Sequence, residues 1–183
     1  MNWLNPILLL LAAFLAVYLE TSIDFVRNFL RAQIDLLPAL MVYTSLTHSF
    51  PATVLLAVAG GLWFDSLSAN PLGVSILPLL VIGCLNFQNR SFLLRENTYA
   101  QFILGLAASA AAPLISLLII FGVGDTPLLG LGSAWQLIVM SVAGGAATPV
   151  LFRFFDRVSR AVDYQPLAES AFRPNREIKR GRM

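Results

Sequence analysis

The chain has 183 residues, of which 57% are hydrophobic and 12% charged, about half the charged share of a soluble globular domain. A water-soluble fold this apolar would expose large greasy patches, so composition excludes an ordinary soluble domain and points to lipid as the solvent. The formal charge of +2 is small but unevenly placed, because eight of the twelve Lys and Arg fall between Arg153 and Arg182.

A basic end behind an apolar body reads as a cytoplasmic end under anionic lipids. One short patch is weak support for a nucleic-acid arm, and no nucleic-acid partner is expected. Cys84 and His48 are the only residues of their kinds. One of each cannot build a zinc or haem site or an internal disulfide, so no metal and no cofactor is expected.

The first apolar run, Ile7 to Leu19, follows Trp3 and Pro6 and ends at Glu20. It lacks the basic leader and cleavage site of a signal peptide and is read as a retained first helix. From Thr21 to Ile34, Ile23, Val26 and Leu30 share one face with Phe25 and Phe29 beside them, while Asp24, Arg27 and Arg31 lie opposite. That spacing predicts an amphipathic helix in the headgroup plane; a continuation of the first helix into solvent is the competing reading.

Leu36 to Leu46 and Phe50 to Phe64 form a close pair, each shorter than the ~20 residues a straight span needs. They are read as short spans or as one re-entrant hairpin sheltered by protein. Leu72 to Phe87 is the fourth run, Tyr99 to Phe121 the fifth, and Trp135 to about Phe152 the last. A polar loop with Arg90 and Arg95 precedes the fifth run, and a Gly-rich loop from Gly122 to Ser133 follows it.

The expected fold is an all-α integral membrane protein with about six transmembrane helices in one bundle over residues 1–165, and a basic tail over 166–183. With the N-terminus inside, inner segments carry ten Lys and Arg and outer segments only Arg27 and Arg31, which favours cytoplasmic termini. Beyond the last span, Leu151, Phe154, Phe155, Val158 and Val162 fall at helical spacing, with Arg153, Asp156, Arg157, Arg160 and Asp163 opposite. This predicts a helix bending onto the inner leaflet, with Arg153, Arg157 and Arg160 at the membrane surface.

No catalytic constellation is evident. Asp35, Asp65 and Asp125 sit near the outer ends of apolar runs, and no base or nucleophile accompanies them. Asp65 is the most informative acid, because a carboxylate at the edge of hydrocarbon needs hydrogen-bond donors or a function. The turn residues behind it favour capping of the next helix, a role whose loss costs about 0.5–2 kcal/mol. Small residues at i, i+4 (Gly105 with Ser109, Ala108 with Ala112, Ser141 with Gly145, and Gly60-Gly61 with Ala57) allow close helix packing, either internally or as a groove for a partner's helix. Pro113 and Pro149 lie inside spans and are expected to kink them.

The stretch Gly60-Gly61-Leu62-Trp63-Phe64-Asp65-Ser66-Leu67-Ser68-Ala69-Asn70-Pro71-Leu72-Gly73 resembles the rod shape-determining protein family MreD. That family carries a Gly-rich helix end, an Asp, a small-polar turn and Pro-Leu-Gly here. Asp35-Leu36-Leu37 with Val42-Tyr43, and Thr148-Pro149-Val150-Leu151-Phe152, are similar to two further family segments. Gln33-Ile34 stands where the family has Arg-Pro, and Pro38 is an intrusion.

The resemblance spans roughly Ile34 to Asp156 and implies a non-enzymatic component of the cell-wall elongation complex in the bacterial inner membrane. Its implied partners are the single-span protein MreC, the RodA polymerase with its transpeptidase, the cytoplasmic shape filament and membrane lipids. It marks Gly60, Gly61, Asp65, Pro71 and Gly73 as partner-binding or structural residues. The family is also distantly similar to the substrate-binding subunits of energy-coupling-factor vitamin transporters, which gives the rival expectation of a transport subunit.

Overall fold

An apolar run surrounded by hydrocarbon has no outside partner for its backbone N–H and C=O groups, and a helix satisfies them within the segment. The structure, a computed structural model that describes residues 4–22, 32–68, 71–90, 97–123 and 130–162, is helical throughout its regular parts. The helices are α1 (Leu4–Ser22), α2 (Leu37–Thr47), α3 (Phe50–Leu67), α4 (Ile76–Gln88), α5 (Thr98–Val123) and α6 (Leu131–Val162). Three of them, α3, α5 and α6, are long and apolar enough to cross a membrane, whereas α1, α2 and α4 have shorter apolar stretches. Each expected span is therefore a helix, and among the described residues three of them reach membrane length.

The short α2 sits at the centre. Its 11 residues rise about 16 Å, half of a hydrocarbon core. Every residue from Leu37 to Leu46 is buried, and α2 touches each of the other helices. Protein rather than lipid surrounds it, which is how a short segment is tolerated at membrane depth. Pro38 lies in the first turn of α2 and Pro51 in that of α3, where a missing N–H costs little.

Several hydroxyls inside the helices bond back to their own helix, whereas Ser109 Oγ is buried without a partner. Thr44 donates to the Leu40 carbonyl at 2.9 Å, Ser141 to Leu137 at 2.6 Å and Thr148 to Gly144 at 2.8 Å.

The α5–α6 pair forms the most extensive interface. A Cβ on Gly105 would collide with Thr148, and one on Gly144 would collide with Ser109, so the backbones approach as closely as small residues permit. At one end of the bundle Tyr43 stacks on Phe155 (ring centroids 4.7 Å apart) and meets Phe152 edge-on at 5.0 Å. At the other end lie the carboxylates.

Several expectations are corrected. Leu72 is 71% exposed and belongs to a turn, since α4 begins only at Ile76. Gly132 and Ser133 are part of α6 rather than of a loop. The expected continuation of the last helix is present, and α6 runs on as one helix to Val162. Its core-facing rings are Phe152 and Phe155, while Phe154 is 56% exposed, because contacts with α2 fix which side turns inward.

In the segment expected to be amphipathic, Thr21 and Ser22 close α1 and residues 32–34 are not helical. Residues 23–31, with Asp24, Arg27 and Arg31, lie outside the described residues, as do Arg95, Asp125 and the tail from 163. Pro113 and Pro149 lie within continuous helices.

Candidate functional site

The end of α3 is tied to the start of α4 by one carboxylate. Asp65 is 2% exposed, and its Oδ2 accepts the N–H of Gly73 at 2.8 Å and of Ser75 at 3.2 Å. Its charge also lies at the N-terminus of α4, where the helix dipole favours an anion. Gly73 has φ +96°, a left-handed conformation that glycine adopts without a Cβ penalty. Asp65 thus clasps the turn from a neighbouring helix. Its Oδ1 is buried without a hydrogen-bond partner.

The other family-marked residues divide between interior and surface. A Cβ on Gly60 would lie 3.2 Å from the Leu37 side chain, and one on Gly61 would lie 2.9–3.0 Å from Ile76, including its backbone. Both glycines are buried against this chain's own helices. Of the two roles expected of them, packing is the one they fill here, and the Gly60–Gly61 surface is not open to a partner's helix. Pro71 is exposed. Arg153 and Arg157 are exposed on α6, while the Arg160 side chain lies outside the described residues.

A second polar group gathers at the same end. In the link before α2, the Gln33 N–H donates to Gln136 Oε1 at 3.0 Å, and Gln136 Nε2 donates to the Gln33 carbonyl at 2.9 Å. Gln33 Nε2 also reaches Glu20 Oε1 at 3.4 Å. Two residues on, Asp35 is 8% exposed, and its Oδ1 accepts the Leu37 N–H at 2.8 Å. Burial pushes the Asp35 carboxyl up to about 6, with the Leu37 N–H pulling the other way. Glu20 and Asp35 stand close enough to repel.

Beside Asp35 opens a cavity of about 230 Å³ walled by Phe64 of α3, Ser75, Pro78 and Leu79 at the head of α4, the Ala112–Ile120 stretch of α5 and Met140 of α6. Sequence reasoning placed Asp35 and Asp65 at this end but missed Glu20, Gln33 and Gln136. Each is a lone polar residue at the margin of an apolar run, which was the available signal.

His48 is at the opposite end, with Thr47 Oγ1 2.6 Å from its Nδ1. Among the described residues no group of three or more His, Cys, Asp or Glu is arranged to hold a metal. No protein-family model, curated protein or solved structure matches the chain.

Proposed function

We propose that this chain is a non-enzymatic membrane scaffold of the MreD type, which binds MreC in the bacterial cell-wall elongation complex and supports regulated peptidoglycan synthesis and cell shape. The observation that carries this reading is the joint at the head of α4, where Gly61, Asp65 and Gly73, residues behind the resemblance, come together, with Gly60 packed on Leu37 one position before.

In this reading the six helices form a bundle in the inner membrane with both termini cytoplasmic. Arg153, Arg157 and Arg160 lie against anionic headgroups on the side of RodA's cytoplasmic loops and the shape filament. The small-residue faces are taken up by internal packing, so MreC's helix is assigned instead to the outward ridge of α6. Ile138, Val142, Ala146 and Val150 are exposed there at successive helical turns.

A tryptophan at Ala146 should abolish copurification of MreC from detergent extracts while leaving insertion intact. Depletion of the protein in its rod-shaped host should turn rods into spheres. Unaltered MreC recovery together with unaltered rods would contradict the proposal.

The second reading, a vitamin-capturing transporter subunit, is favoured by the cavity beside Asp35. Among the described residues that cavity offers one carboxylate, two serine hydroxyls and one aromatic ring, a sparse set for recognising a vitamin. Depletion that abolished uptake of a vitamin and left shape unchanged would favour this reading.

A further inference from the structure

We propose that the cavity beside Asp35 is a binding site for a small organic cation, an ammonium group carried on an apolar body. This inference is independent of the scaffold reading, since a scaffold needs no ligand.

Asp35 is more than nine-tenths buried and lines the cavity. Its Oδ1 is occupied by the Leu37 N–H, while its Oδ2 has no hydrogen-bond donor among the described residues. A buried carboxylate with a free oxygen is costly unless a cation or donor meets it. Glu20 stands close by, and its Oε2 is itself buried and unpartnered, so it brings no positive charge to offset Asp35. Among the described residues the cavity wall carries no Lys, Arg or His to balance Asp35. The local field therefore selects a positive guest.

The rest of the wall sets the guest's shape. Phe64, Pro78, Leu79, Leu117 and Ile120 are apolar, and among the described lining residues Ser75 and Ser116 supply hydroxyls as further acceptors. A metal ion bound here would lack the oxygen ligands it requires. An ammonium donates up to three hydrogen bonds, to one carboxylate oxygen and to hydroxyls, and its hydrocarbon part would cover the apolar wall. The volume of about 230 Å³ lies below the ~300 Å³ at which pockets for drug-sized ligands begin, which suits a compact amine.

The test uses the full chain in detergent at pH 8, titrated with phenethylammonium and with its neutral counterpart 2-phenylethanol, and followed by thermal unfolding and calorimetry. Phenethylammonium should stabilise the protein saturably and bind about tenfold or more tighter than the alcohol, the difference expected of one charge-assisted contact. Asp35→Asn should remove that preference. Leu117→Trp, which fills the cavity without touching the carboxylate, should weaken the ammonium by about tenfold or more and keeps the test informative if Asp35→Asn fails to fold. Equal affinity for the alcohol, or undiminished ammonium binding in either folded variant, would overturn the proposal.

Discussion

At Asp65, one oxygen holds two backbone N–H groups of the turn that starts α4. Asp65→Ala would leave both donors without a partner where water has little access, so a loss of about 2–3 kcal/mol is expected, more than a single solvent-exposed cap contributes. Asp65→Asn keeps an acceptor at the same place and should lose about 1 kcal/mol. Thermal unfolding of the two variants in detergent measures the order, and equal stabilities would contradict the clasp.

Asp35 makes the opposite kind of prediction. Its carboxyl is raised from 3.8 to about 6 by burial, so the folded chain holds this proton more tightly than the unfolded chain. Stability should then fall as pH rises from about 4 to 6 and stay level above, by roughly 3 kcal/mol for a shift of this size. Asp35→Asn should accordingly raise the unfolding temperature at pH 8 and have no such effect near pH 4. A variant less stable than the parent at pH 8 would show that the charged carboxylate is already compensated.

The two acids also differ in how far the sequence discloses them. Asp65 bonds residues eight and ten positions away, inside one recognisable turn. The surroundings of Asp35 depend on a pairing between Gln33 and Gln136 across 103 positions, which local pattern does not carry.

Among the elements, the seam between α5 and α6 tests the packing account most simply. Gly144 faces Ser109 and Gly105 faces Thr148 with no room for a methyl group. Gly144→Ala should cost about 1–3 kcal/mol through overpacking. Gly132→Ala, in the first turn of the same helix with nothing within 4 Å of the added Cβ, should be neutral or stabilise by up to about 1 kcal/mol. Chemical or thermal unfolding of the pair separates packing from helix propensity, and equal losses would refute the seam.

The spacing of small residues on these helices was readable because i, i+4 geometry is local. What they face was not, since the same stripe serves an internal neighbour or a foreign helix. Length decided α2 in a similar way. An 11-residue apolar helix fits either a thinned membrane or a protein-lined interior, and only its burial by every neighbouring helix distinguishes them. Leu72 and Phe154 show the limit of apolar periodicity, because each continues a hydrophobic pattern yet lies outside the packed face.

For the molecule as a whole, the carboxylates Glu20, Asp35 and Asp65 gather at one end and the Tyr43–Phe155 aromatic cluster at the other. The 32 residues of α6 extend about 48 Å, well past a ~30 Å hydrocarbon core, and Arg153 and Arg157 lie exposed at its aromatic-cluster end. In the proposed arrangement the excess of Lys and Arg puts that end in the cytoplasm under the positive-inside rule, with the acidic end and the cavity facing out.

Labelling intact cells with a membrane-impermeant maleimide tests this arrangement directly. The variants carry Cys84→Ser together with either Ser66→Cys, exposed at the acidic end, or Ser170→Cys in the basic tail. The account predicts labelling at position 66 in intact cells and at position 170 only after permeabilisation. Labelling of position 170 from outside, or recovery of the chain as a soluble monomer without detergent, would contradict it.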